Sequence, residues 1–142
     1  MVGLGQKLLG ISDAPVLNEM AKRGDARRVD LTVRDIAGGA VGALDADMTA
    51  SNLGKLSGAA TPEDIAAGIL NMVAEVVGEL AHISASGVGT TRIILVGSLT
   101  KLDYVSDRAI ATLRSFGREA VIPKLAEFNV AVGAATEASW GT

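Results

Sequence analysis

The chain has 142 residues, with 13 lysines and arginines against 16 aspartates and glutamates, a formal net charge of −3, and no cysteine. A composition of 49% hydrophobic and 20% charged residues at this length describes one folded domain able to bury a core and excludes a disordered chain. The missing cysteines exclude disulfides, thiol catalysis and thiolate zinc sites, and the mild negative charge gives no support for nucleic acid or an anionic membrane as main partner.

The mean hydropathy of +0.36 is high for a free monomer. Either the core is densely packed, or part of the apolar surface is reserved for a partner. The apolar run in MVGLGQKLLG is too short for a signal peptide. The chain from there to Asp25 reads as two short helices, the second capped by Asp13 with Pro15 in its first turn. In RRVDLTVRDI, Val29, Leu31 and Val33 alternate with Asp30, Thr32 and Arg34, the period-two pattern of a half-buried strand. Ala37 to Asp47 has no periodicity and reads as a loop; TASNLGKL, from Thr49, suggests one helical turn.

The clearest element is a helix from Pro62 to Ala85. Thr61 caps it, Pro62 takes its first position, and Asp64 stands where a capping-box acid belongs. Ile65, Ile69, Val73, Val76, Leu80 and Ile83 form one apolar stripe, and Gly87 is a stop. Asn71, Glu75 and Glu79 interrupt the helix, so no transmembrane span is expected. TRIILVG then reads as a continuous apolar strand covered on both faces. A helix capped by Asp103 or Ser106 and ended by Gly117 follows, then a short strand at Ala120 to Ile122 and a small-residue helix, VAVGAATEAS. This order predicts an α/β fold with at least one strand–helix–strand crossover.

Ligands of open α/β sheets sit at the carboxyl ends of strands, where glycine lets backbone approach closely. LVGSL is such an end, so Gly97 and Ser98 either touch a nucleotide or only make a tight strand-to-helix turn. No complete phosphate fingerprint accompanies them: GLGQKLLG lacks the third glycine of the dinucleotide pattern, and no GxxxxGK[ST] occurs. His82, the one histidine, has no acidic neighbour in sequence and reads as a packed or surface residue. Lys22, Arg23, Arg27 and Arg28 are interleaved with Asp25 and Asp30, as on a solvated face or an anion site, and Asp45 and Asp47 are a weak cation signal.

Four blocks in order carry a family resemblance: GLGQKLLGISDAPVLNEMAKRGDARRVDLTVRDI (Gly3 to Ile36), DMTASNLGKL, RIILVGSLTKLDYVSDRAI and EFNVAVGAATEA. Together they resemble type II pantothenate kinases, of the superfamily of acetate and sugar kinases, actin and heat-shock-chaperone ATPases. The resemblance implies that residues 1–142 are a single C-terminal, ribonuclease-H-like lobe of the actin-like ATPase fold, a mixed sheet with packed helices. It implies that the N-terminal phosphate-binding lobe, with its DxGGT segment and catalytic acid, lies upstream. ATP with Mg is the implied cofactor, with Gly97, Ser98 and Leu99 against adenosine and the Ala131–Ala135 helix beside the same cleft. Thr49 matches a position that borders substrate across a homodimer, and Ala37 and Val41 stand where some members carry substrate-enclosing tyrosines. The implied protein is cytoplasmic, binds pantothenate, and has no catalytic residue and no metal ligand in this chain. The isolated chain is accordingly expected not to phosphorylate pantothenate; the alternative is a non-catalytic lobe that dimerises or binds nucleotide.

Overall fold

The computed structural model describes residues 1–140 as a mixed α/β chain of six helices and four short strands. They cluster into two compact units, Met1–Val73 and the chain from Ala74 onward.

In the first unit, α1 (Val2–Leu9) and α2 (Ala14–Ala21) form where expected, and the Asp13 carboxylate caps α2 by accepting from Val16 N at 2.9 Å. The half-buried strand expected from Val29 to Val33 shrinks to β1 (Leu31–Thr32), and Val33–Ala37 is a helix, α3. Two physical causes end the strand. Asp30, expected outward, is buried as a hydrogen-bond acceptor. Thr32 and Asp35 form a reciprocal capping box, Asp35 N to Thr32 Oγ1 at 3.3 Å and Thr32 N to Asp35 Oδ2 at 2.8 Å, which starts a helix. The TVRD spacing of that box was visible in the sequence. The segment expected as a helical turn instead supplies β2 (Thr49–Ser51), antiparallel to β1 with Leu31 opposite Ser51 and Thr32 opposite Thr49.

Helix α4 (Pro62–Gly87) is the expected long helix, and its first half belongs to this unit. Its capping box holds: Asp64 N donates to Thr61 Oγ1 at 3.2 Å and Thr61 N to Asp64 Oδ2 at 3.3 Å. Asp64 also reaches out of the helix, accepting from Asp25 N at 2.9 Å. One carboxylate therefore starts α4 and fastens the Gly24–Asp25 turn to it. Leu17, Ala21, Ala26, Val29, Ala66, Ala67, Ile69 and Leu70 form the core of the unit. By length and composition α4 is long and apolar enough to cross a membrane despite its interrupting polar residues. Its buried Asn71, however, bonds to Asp30 and Thr49, and 44% of its most apolar window is buried within the protein.

In the second unit, β3 (Arg92–Ile94) and β4 (Glu119–Val121) pair in parallel, with Ile93 opposite Ala120, and α5 (Asp103–Ser115) makes the expected crossover between them. The described strands thus form two small sheets and not one mixed sheet. The expectation of a strand covered on both faces does not hold, since Ile94 is 66% exposed and Val96 is exposed too. Neither proposed cap caps α5: Asp103 lies in its first turn, and Ser106 is buried inside it, donating to Thr100 O at 3.2 Å. Gly117 ends the helix as expected, at φ 70°, with its N–H on Arg114 O and the Arg118 N–H on Leu113 O, both at 2.9 Å. Helix α6 (Asn129–Trp140) follows, exposed along residues 129–139.

The apolar stripe expected on α4 holds in its first half, where Ile69 is buried, and is corrected in its second. Val76, Leu80 and Ile83 are exposed, Ile83 by 64%, while Ala74, Gly78 and Ala85 are buried. Small residues let α5 approach: a Cβ on Gly78 would lie 2.8 Å from the Thr112 side chain. Close backbone approach selected the buried face over side-chain size.

The fastening of Gly24 to the start of α4 gives a direct test. A Cβ on Gly24 would strike the Glu63 carbonyl and lie 2.7 Å from Asp64 N, whereas one on Gly3, within α1, meets nothing within 4 Å. Gly24→Ala should destabilise the chain by about 1–3 kcal/mol, as overpacking against rigid backbone does. Gly3→Ala should be neutral or stabilise by about 0.5–1 kcal/mol, the helical cost of glycine. Urea denaturation of both variants checks it, and equal midpoints would show that the Gly24 turn is not fastened as described.

Candidate functional site

The turn after β3 lies in the second unit. Gly97 has φ 106° and ψ 172°, a region open essentially to glycine, and a Cβ there meets nothing within 4 Å. Backbone conformation, not crowding, requires the glycine. Any side chain at Gly97 therefore strains the backbone, whatever it does to a ligand. Gly97 N donates to Ala126 O at 2.9 Å, and Thr100 returns two bonds to Gly97 O, from its N–H at 3.1 Å and its hydroxyl at 2.7 Å. These bonds brace a short 3₁₀ turn, Ser98–Lys101, that leaves Ser98 and Leu99 at the surface.

Beside that turn is a recess of about 110 Å³, lined by Val77, Leu95, Val96, Leu99, Thr100, Val105, Ser106 and Ala109. Its walls are mostly aliphatic, with two hydroxyl residues, as suits a flat heteroaromatic ring offered a few polar contacts. Of the residues singled out from the sequence, Leu99 lines this recess, and Gly97 and Ser98 form the turn at its edge. Thr100 and Ala109 were not singled out, and Ser106 was read only as a helix cap. The signal available was their three-residue spacing, which puts Ser106 and Ala109 on one side of α5.

Thr49 lies in the first unit, on β2, with its hydroxyl accepting from Asn71 Nδ2 at 3.3 Å. The same unit holds a polar basin of about 270 Å³ lined by Asp25, Arg27, Arg28, Thr32, Arg34, Asp35, Asp47 and Lys55. Arg27 grips Asp25 through Nε and Nη2, both at 3.0 Å; Arg34 Nη2 meets Asp47 at 3.2 Å, and Lys55 Nζ meets Asp35 at 2.7 Å. The basic cluster read from the sequence is therefore divided. Arg27 and Arg28 line the basin, while Lys22 and Arg23 pair with Glu19 and Glu63. Asp47 is engaged by Arg34, and Asp45 accepts the Asp47 N–H at 2.8 Å, so this pair acts within the loop.

His82 is a packed residue. It stacks on Phe116 with centroids 4.2 Å apart, and its Nδ1 accepts from Arg118 Nε at 3.1 Å. Among the described residues no group of three or more His, Cys, Asp or Glu side chains is placed to hold a metal ion.

Comparison with known proteins adds the family. The sequence pattern of the family described as Fumble matches residues 1–136. A type II pantothenate kinase of Oceanobacillus iheyensis is 34% identical over 99 residues, covering 68% of this chain and 38% of that protein. A type II pantothenate kinase of Staphylococcus aureus strain USA300 is 35% identical over 100 residues, with the same two coverages. The chain thus spans well under half the length of the curated relatives it matches.

The basin also sets a pH dependence. The hydrogen bond from Lys55, with those from the Thr32 N–H and hydroxyl, holds the Asp35 carboxyl down at about 2. A carboxyl depressed in the folded state contributes stability that is present above its unfolded value, about 3.9, and is lost as the pH falls through the folded value. Thermal melts should therefore fall between about pH 4 and about pH 2 more steeply in the wild type than in Asp35→Asn. Parallel pH profiles would show that these bonds to Asp35 contribute nothing to stability.

Proposed function

The chain belongs to the Fumble family, that of the type II pantothenate kinases, and on that premise we propose that it is the C-terminal part of an ATP-dependent pantothenate kinase, acting in the first step of coenzyme A biosynthesis. In this reading it is a ribonuclease-H-like lobe of an actin-like ATPase fold, in a cytoplasmic enzyme. An N-terminal lobe supplies the phosphate-binding segment and the catalytic acid.

The observation that carries the reading is the recess beside the Gly97–Leu99 turn, at the carboxyl end of a strand in a strand–helix–strand crossover. Ligands of open α/β sheets bind at such ends. The aliphatic lining from Leu95, Val96, Leu99 and Val105 fits the adenine face of ATP, and the Ser98 hydroxyl suits a polar edge or the ribose. When bound, ATP with Mg supplies the phosphoryl group. This chain's residues would hold the adenosine end and keep water from its base, orienting the phosphates toward the other lobe. Thr49 would contact pantothenate, and Ala37, at the end of α3, and Val41, in the loop after it, offer no aromatic cover for it.

A homodimer is part of the same proposal. The exposed row Val76, Leu80 and Ile83 on one side of α4 is apolar at i, i+4 and i+7 spacing and suits a second copy. A non-catalytic dimerising module is the second reading, favoured by this same row. A monomer in sedimentation equilibrium at high protein concentration would sink both the dimer and that module.

Ser98→Ala is the variant that tests the nucleotide site, because alanine tolerates the backbone angles of serine and loses only the hydroxyl. ATP affinity by isothermal titration should fall several-fold, about 1 kcal/mol for one hydrogen bond, at an unchanged melting temperature. Gly97→Val should lose ATP binding and also melt lower, by about 1 kcal/mol or more, because of the positive φ. Unchanged ATP affinity in Ser98→Ala, with only a lower melting temperature in Gly97→Val, would reduce the turn to a strand-to-helix connection.

A further inference from the structure

The buried polar network of the first unit has a directional consequence. Asp30 is buried to 1% exposure, and its side chain accepts from Leu53 N through Oδ1 at 2.7 Å and from Asn71 Nδ2 through Oδ2 at 3.1 Å. A carboxylate only accepts, so Asn71 must turn its NH₂ group toward Asp30, which fixes the orientation of the amide. The second Nδ2 proton then points at Thr49 Oγ1, 3.3 Å away. The hydroxyl of Thr49 is thereby made an acceptor on its inner side, and its own proton is left to donate. Among the described residues no acceptor takes that proton.

The same carboxylate holds the backbone that follows Thr49. Leu53 sits at φ 55°, a left-handed conformation uncommon for leucine, and its N–H is the one bound by Asp30. Lys55 N then donates to Val29 O at 2.7 Å, tying the far end of the turn to the residue before Asp30. Both the path of the Thr49–Lys55 segment and the polarity of the Thr49 hydroxyl thus trace to Asp30 and Asn71. A strained residue held by a buried carboxylate is the kind of stored strain found where a side chain must be aimed.

We propose that Asn71, braced by Asp30, is a positioning residue that turns one lone pair of Thr49 Oγ1 inward and keeps its proton available for an acceptor oxygen, a carboxylate or carbonyl, of the substrate. The inference rests on the reading of Thr49 as a pantothenate contact and adds the polarity and the residues that enforce it.

The decisive variant exchanges the two partners, Asp30→Asn with Asn71→Asp. Charge is conserved, and each bond named above keeps a counterpart: the new amide at position 30 accepts from Leu53 N and donates to the new carboxylate at 71. That carboxylate now takes the Thr49 proton, so Thr49 faces outward as an acceptor. Two readouts on the 142-residue chain separate the outcomes. Three-bond NMR couplings should show one χ1 rotamer for Thr49 in the wild type and in the exchange variant, and rotamer averaging in Asn71→Ser. Chemical-shift titration with pantothenate should show affinity about tenfold weaker in the exchange variant and in Thr49→Val, and within about twofold of wild type in Thr49→Ser, as expected for one hydrogen bond. A single Thr49 rotamer in Asn71→Ser, or full affinity in the exchange variant, would overturn the proposal. A wild-type chain that fixes the Thr49 rotamer yet shows no pantothenate shift supports the positioning and removes pantothenate as its ligand.

Discussion

A single buried carboxylate organises the first unit. Placing Asp30 in the interior costs far more than burying an apolar residue of its size unless donors surround it. The chain supplies them from two distant places: a backbone N–H on the turn after β2 and an amide on α4. Gathering those donors forces the remaining geometry. Val29, one residue earlier, is pressed onto α4 so closely that a Cβ on Gly68 would strike it. Leu53 is drawn into the left-handed region, and β2 is brought against β1 in a register that sets Thr49 opposite Thr32. A substitution at Asp30 that removed its acceptors would leave donors on two elements unsatisfied at once, which explains why a short two-stranded sheet, marginal alone, persists here.

What could be read from the sequence divides along local and non-local physics. Caps involve residues within four positions, and Asp13, Thr61 with Asp64, and Gly117 behave as their spacing predicts. Burial is non-local, and there the alternation rule misled. It counted Asp30 and Thr32 as outward because they are polar, when one is the buried acceptor and the other a helix cap. The long helix repeats the lesson. Large apolar residues define its visible stripe, yet Ala74, Gly78 and Ala85 are buried, since a helix packs where its neighbour can come close. Of the candidate site, the strand end at Gly97 and Ser98 was legible from the glycine that closes an apolar run. The polar basin was legible only at Asp25, Arg27 and Arg28, because Arg34 and Lys55 are brought to them by β1 and β2, strands of two and three residues with no pattern to detect.

The two units carry different chemistry. In the first, cations and carboxylates are paired around a basin, and the groups that matter are held by charge and by caps. In the second, a recess of aliphatic side chains stands beside a turn braced by backbone bonds, with the hydroxyls of Thr100 and Ser106 spent on Gly97 O and Thr100 O. Charge-paired sites respond to pH and salt, whereas apolar recesses respond to the shape of what enters them. In the proposed reading, recognition of a polar acid and of a heteroaromatic base falls to separate parts of one short chain. On that reading Thr49, on a three-residue strand, is aimed by a buried carboxylate and an amide. Ser98 needs only a glycine turn that leaves its hydroxyl at the surface.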